Sequence, residues 1–329
     1  MRIASSVSSK PSVRGDTGAR VWVLIDRTQE ERIPHIQGLL ETMGLSWKIL
    51  WISRTFRLYW LLRWFWRPRR FIFGGALSAP WPAFLMGVGP LGCLAASLLK
   101  RASGAFALGF LPGREVSGLD WIIQLKKGNK SKGQVQEIFS LPHTTTLEKI
   151  KYATTVKASR FSALPHLRIG VFVYDTPGKT LWTGDALSKM IQALKELIEK
   201  TGGGVMIVLS SGVPASVRGQ IKSGLPRGKI YLQSARTSYL PVLGESDYIL
   251  VTRGSSRFLC EAAVTDAPIY ICPFPAFQSS EFSLLERRFI QRGLARPFFG
   301  ELDFWLRDSH NPTNFVASQL SKKLPHVSD

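Results

Sequence analysis

The chain has 329 residues, 45% of them hydrophobic, and two domains of about 150 residues each are the expectation for that length. With 43 Lys and Arg against 23 Asp and Glu, the formal charge is +20, which calls for an anionic partner: a membrane surface, nucleic acid or a phosphorylated substrate. Cys93, Cys260 and Cys272 have no CxxC spacing, which argues against a disulfide framework or a structural zinc site, and no run of about 18 uncharged apolar residues marks a membrane-spanning helix.

Residues 1–19 are rich in Ser, Lys and Arg and read as a disordered basic tail. A first Rossmann-like domain, facing the acceptor or a membrane, is expected over 20–157. Arg20–Ile25 is a buried-type strand, Ile33–Met43 has helical spacing and stops at Gly44, and Trp47–Ile52 is a second strand. That order opens a doubly wound sheet. Asp26 falls at the carboxyl end of the first strand, where such sheets place ligands, though capping the next helix is an equally available role. His35 reads as a surface residue.

Residues 48–70, KILWISRTFRLYWLLRWFWRPRR, hold seven Lys or Arg and no acid. In a helix, Arg63, Arg67 and Arg70 share one face, with Arg57, Trp60 and Trp64 close by. Arginine heads on apolar stems beside tryptophan rings suit the plane of an anionic bilayer. The same residue types serve a core helix with snorkelling arginines, or stack on single-stranded nucleic acid.

Phe71–Phe73, Ala105–Phe110 and Trp121–Leu125 are strand candidates, and Gly92–Arg101 has helical composition. A basic loop, 126–132, follows. Pro142-His143-Thr144 precedes a helix expected over Thr146–Lys157, and His143 is a candidate base.

A linker is expected at 158–167 and a second Rossmann-like domain at 168–303. Its strands and helices alternate: Arg168–Tyr174, Ala186–Thr201, Val205–Ser210, Lys229–Leu232 and Ser238–Leu243. Pro177-Gly178-Lys179-Thr180 falls short of a P-loop because Val173 stands where the pattern needs glycine. Lys179 and Thr180 still follow the domain's first strand, where a phosphate site forms, and Ser210 closes the next one.

The densest signal is 247–273. Tyr248–Thr252 is a strand, Gly254 a turn, Ser255 or Ser256 an N-cap, and Ile269–Cys272 the next strand. A helix start at a strand's carboxyl end suits a phosphate. Glu261 is spaced to accept hydrogen bonds from a ribose diol. A purely structural βαβ unit is the competing reading. Ser283–Gln291 is helical, and the last segment, 304–329, should hold a helix from about Pro312 that crosses back to the first domain.

SDYILVTRGSSRFLCEAAVTDAPIYI, followed by LLERRFIQRGLARPFFGELDFW, resembles the bacterial and plant family named for an elongated-mitochondria fission factor. Its bacterial members include proteins described as lipopolysaccharide outer-core glycosyltransferases. The likeness extends to Asp26, Gln37-Gly38-Leu39, Gly44-Leu45 and Leu141-Pro142-His143. The family in turn is similar to two-domain GT-B glycosyltransferases, including lipid-acceptor enzymes of peptidoglycan synthesis. Those carry a turn, a glutamate and a proline at the spacing of Gly254, Glu261 and Pro268. Where the family has an Ile-Gly-Gly turn after the first strand of the second domain, this chain has Val173-Tyr174-Asp175.

The resemblance implies an α/β, GT-B-like fold with two Rossmann-type domains facing a cleft. It implies transfer of a sugar from a nucleotide-diphosphate donor to a lipid-linked or lipopolysaccharide-type acceptor, peripheral to the inner membrane on its cytoplasmic side. Glu261 would bind the donor ribose, and Arg253, Gly254, Ser255 and Ser256 the pyrophosphate. Asp26 and His143 are the catalytic candidates from the first domain. No Asp-x-Asp pair occurs, so neither a metal nor a cofactor is expected, and nucleic acid is the least favoured partner. The alternative is a non-catalytic, membrane-peripheral interaction protein of the same shape.

Overall fold

The computed structural model describes residues 20–52, 81–113, 116–125, 134–175, 182, 184–275 and 280–322. The chain forms two compact units, residues 1–33, 40–137 and 317–329 in the first, and 34–39 and 138–316 in the second.

The first unit is built on a parallel sheet in the order β2-β1-β3-β4-β5-β6. Its strands are β1 (Val21–Ile25), β2 (Trp47–Trp51), β3 (Phe84–Val88), β4 (Phe106–Phe110), β5 (Trp121–Gln124) and β6 (Gln134–Glu137). Strands β1 and β3 are buried along their whole length, as expected for a parallel sheet covered on both faces. Helix α1 (Ile33–Thr42) follows β1, and α2 (Gly89–Ser103) follows β3. Helix α2 turns Cys93, Ala95, Ala96 and Leu99 onto Leu24, Leu85 and Ala107. Its small residues let the helix lie close on the strands.

The second unit contains β7 (Arg168–Val173), α4 (Gly184–Thr201), β8 (Gly204–Leu209), α5 (Ala215–Gly224) and β9 (Ile230–Ser234). After these come α6 (Leu240–Gly244), β10 (Tyr248–Thr252), α7 (Ser256–Ala262), β11 (Ile269–Cys272), α8 (Ser280–Gln291) and β12 (Arg296–Pro297). The order β12-β11-β10-β7-β8-β9 is parallel throughout. Helix α4 buries Leu187, Met190, Leu194, Leu197 and Ile198, the three-four spacing of one helical face. Each side chain so buried contributes about 1.5–3 kcal/mol from water exclusion.

Most expected elements are present, with ends shifted by one to three residues. The expected linker differs. Helix α3 (Leu147–Lys157) and a 3-10 turn at Ala158–Phe161 fill the segment before β7, and the division between units falls at Glu137 and Ile138. The reason is local bonding: Arg288 donates to the Ile138 carbonyl at 2.8 Å, and Phe139 stacks on Phe289 with centroids 5.6 Å apart. The last helix, α9 (Thr313–Ser321), begins in the second unit, and the chain rejoins the first from Ala317.

Cys93, Cys260 and Cys272 are all buried and free. Burial pushes the first two thiols up to about 12 and the third to about 11.

Candidate functional site

The order of the second sheet reverses between β7 and β10, which are neighbours although far apart in sequence. Beyond the carboxyl ends of two strands at such a reversal is the usual ligand position in open parallel sheets. Tyr174 and Asp175 leave β7 there, and Arg253, Gly254 and Ser255 leave β10.

This crest is tightly bonded. The Tyr174 amide donates to Thr252 Oγ1 at 2.9 Å, and its carbonyl accepts from Trp182 Nε1 at 2.9 Å. The Asp175 amide donates to Ser210 Oγ at 2.9 Å, which ties the ends of β7 and β8 together. Gly254 has φ +110°, and a Cβ there would stand 2.7 Å from Cδ1 of Tyr174. Only glycine can make this turn under the tyrosine ring.

Ser255, the expected N-cap, accepts from the Phe258 amide at 3.1 Å and is buried. Its hydroxyl is engaged within the helix, whereas Ser256 is half-buried at the start of α7. Arg253, expected to face a diphosphate, instead gives Nε and Nη2 to Glu286 Oε1 at 3.2 and 3.0 Å. β10 and α8 are joined through this arginine.

Behind the crest lies a buried polar cluster. Glu261 is 2% exposed. Its Oε1 accepts from Arg257 Nε at 2.7 Å and its Oε2 from the Tyr239 hydroxyl at 2.8 Å. Burial alone would raise this carboxyl. The charge and hydrogen bond of Arg257, with smaller help from His143 and Tyr239, outweigh it and hold the group below the usual carboxylate range. Tyr239 moves the other way, pushed well up by burial and by Glu261. Both oxygens of Glu261, the residue expected to meet a ribose, are bonded within the chain.

His143 is 1% exposed. Its amide donates to Thr313 Oγ1 at 2.9 Å, and its Nδ1 lies 3.1 Å from the Thr145 carbonyl. Nε2 is buried as well. Burial lowers its pKa, against the opposing pull of Glu261. The residue belongs to the second unit rather than the first. His35, expected at the surface, is buried at 3% with Nδ1 2.7 Å from the Pro142 carbonyl, and burial pushes it down to about 3. Helix α1 turns His35, Ile36, Gly38 and Leu39 inward together, so the histidine shares the apolar face.

Asp26 lies in the first unit, at the end of β1 beside β3, where that sheet's order also reverses. It is 7% exposed. Its Oδ1 accepts from the Thr28 amide at 2.9 Å and from the Thr28 hydroxyl, capping the 3-10 turn Arg27–Arg32. Lys179, Thr180, Arg57, Trp60, Arg63, Trp64, Arg67 and Arg70 lie outside the described residues, as do 1–19 and the basic loop 126–132. Among the described residues, no helix is long and apolar enough to cross a membrane.

Sequence reasoning missed Arg257 and Tyr239. The i,i+4 spacing of Arg257 and Glu261 on one helix was a usable signal, whereas nothing local marks Tyr239, 22 residues before Glu261.

Two Rossmann-type parallel sheets in succession, each with its own reversal, place the chain in the GT-B-like class. Solved structures bear this out. The UDP-GlcNAc 2-epimerase from Methanocaldococcus jannaschii aligns with TM-score 0.55 at 10% identity, over 92% of this chain and 99% of that one. The MnaA–UDP co-structure from S. aureus aligns with TM-score 0.51 at 11% identity, over 92% and 87%. The epimerase from Neisseria meningitidis bound to UDP-GlcNAc aligns with TM-score 0.50 at 15% identity, over 92% and 91%. At such identities the likeness is one of fold. The model of the family described as Mitochondrial fission ELM1 matches residues 33–324, and the chain belongs to that family. No curated protein matches it in sequence.

Proposed function

We propose that the protein binds a nucleotide-diphosphate sugar at the reversal between β7 and β10 and transfers the sugar to a lipid-linked or lipopolysaccharide-type acceptor, peripheral to the cytoplasmic face of the inner membrane. The observation that carries the reading is the crest itself: Tyr174, Asp175, Gly254 and Ser210 converge where an open parallel sheet takes its ligand. Solved neighbours of the same fold hold UDP and UDP-GlcNAc.

The chemistry assigned to this site is displacement of the nucleoside diphosphate by an acceptor hydroxyl. The leaving diphosphate gains charge and is stabilised by backbone N–H groups and cationic side chains. The acceptor hydroxyl loses its proton to a base, a role assigned to Asp26 at the reversal of the first sheet. Contact with an anionic surface is assigned to the tryptophan- and arginine-rich stretch 48–70.

One observation favours a second reading, a non-catalytic interaction protein of GT-B shape. Both candidate bases already have structural duties: Asp26 caps the 3-10 turn, and His143 is sealed in the second unit. Calorimetric titration with UDP- and GDP-linked sugars, followed by an assay for release of the free nucleoside diphosphate in the presence of lipid acceptors, separates the two. Binding with release supports the transferase. Binding without release under any acceptor supports the second reading, and absence of binding to every nucleotide sugar overturns the donor site.

A further inference from the structure

Arg257 is held in a way that no other described cation near the crest is. Its Nε is fixed on Glu261 at 2.7 Å, and its guanidinium carbon stands 5.6 Å from the Tyr239 ring centroid. Tyr239 in turn donates to the other Glu261 oxygen at 2.8 Å and packs edge-on against Phe172 and Phe258. The base of the arginine is thus rigid, yet its side chain is 39% exposed while that of Glu261 is 2%.

Beyond its bond to Glu261, the arginine side chain reaches the surface, where it can meet a ligand. A guanidinium edge offers two parallel donors that match two oxygens of a phosphate. Bracing removes most of the side-chain freedom that an ordinary surface arginine loses on binding. Arg253, the neighbouring alternative, has spent both Nε and Nη2 on Glu286.

We infer that Arg257 is the side chain of the second unit that receives the diphosphate of a nucleotide ligand, with Glu261 as the positioning residue that aims it. This rests on the nucleotide reading of the crest but changes the division of labour within it. Glu261 serves the phosphates through Arg257, and the ribose is read elsewhere.

The test uses the full chain, three probes (UDP, uridine and inorganic pyrophosphate) and calorimetry. Replacing Arg257 alone would strand a buried carboxylate, so the informative variant is Arg257→Met with Glu261→Gln, which removes both charges and keeps the volume. Arg257→Lys, which keeps the charge without the fork, is the companion. The double variant should lose UDP and pyrophosphate affinity by on the order of 10-fold or more while binding uridine as before, and the lysine variant should fall between. Unchanged UDP and pyrophosphate affinity in the double variant, with a native melting profile, overturns the inference. Equal losses for uridine and UDP also overturn it, because they return Glu261 to the ribose. Pyrophosphate binding that depends on Arg257, without any nucleotide binding, overturns the nucleotide reading and with it the inference as stated, leaving Arg257 as a binder of free diphosphate. Wild-type protein that binds neither UDP nor pyrophosphate removes both.

Discussion

The α-carbon of Gly38 lies flat against the main chain of His143, so close that a Cβ on Gly38 would stand 2.2 Å from the His143 carbonyl carbon and 2.6 Å from the Thr144 amide. Backbone cannot yield as a flexible side chain does. Gly38→Ala should therefore displace the Pro142-His143-Thr144 segment and cost about 1–3 kcal/mol by overpacking. Chemical denaturation of wild type and variant measures this, and an unchanged midpoint would show that the close approach of Gly38 to His143 relaxes without cost.

The same contact explains a feature of the sequence. Gln37-Gly38-Leu39 and Leu141-Pro142-His143 stand out as separate short motifs about a hundred residues apart. No local rule links them. Their link is tertiary, a steric fit between a helix and an irregular segment, and so it was invisible to periodicity. By contrast, β10, α7 and β11 were legible because β-branched runs, a turn glycine and a serine cap are all local signals. The strand Phe84–Val88 was missed: it is five residues long, includes Gly87 and follows Pro80 and Pro82. Strand β6 was missed for the opposite reason, since QVQE is a polar edge strand with no apolar run to detect. Arg253 was expected at the diphosphate, and its tie to Glu286, 33 residues on, is tertiary and leaves no local mark.

Acid should loosen the second unit through His35. Its folded-state pKa is about 3 against an ordinary 6.5, so the unfolded chain binds the proton first. The stability it confers is complete above about pH 6.5 and is lost as pH falls, at about 1.4 kcal/mol per pH unit between the two values. His143, lowered by the same cause, adds to the slope. Thermal melts at pH 7.5 and 5 should show a smaller drop for His35→Gln than for wild type. Parallel curves would mean that this imidazole does not titrate with unfolding.

Glu261 contributes in a lower window. Its folded pKa is depressed below 4.5, so its stabilisation is present above that value and is lost as pH falls through the folded one. Glu261→Ala leaves the buried Tyr239 hydroxyl without its acceptor and frees Arg257, and should destabilise by about 1–3 kcal/mol. Urea unfolding at neutral pH reads this directly, and a loss below about 1 kcal/mol would place the pair on the surface in energetic terms.

Asp26 permits a clean separation of folding from chemistry. Asparagine caps as well as aspartate, so Asp26→Asn should melt within about 0.5 kcal/mol of wild type. In the proposed role of base, asparagine is no substitute, and the proposed transfer should slow by on the order of 100-fold or more. A variant that is both stable and fully active would remove Asp26 from the mechanism.

In the second unit, Leu194 lies on the buried face of α4, 2% exposed among Ile169, Val205 and Val217. Leu194→Ala should cost about 2–5 kcal/mol, and no ligand affinity should change while the chain remains folded. Denaturation and nucleotide titration on the same sample check both halves of the statement.

The placement of the three thiols gives the molecule a stopwatch for each half. Cys93 lies in the sheet-facing side of α2 in the first unit, and Cys260 and Cys272 lie in α7 and β11 of the second. Since only an exposed thiolate reacts, a disulfide-exchange dye stays colourless until a unit opens. Single-cysteine versions of the chain would then time the opening of one half independently of the other. A bound nucleotide should slow the clock at Cys260 and Cys272, and the one at Cys93 shows how far that protection reaches.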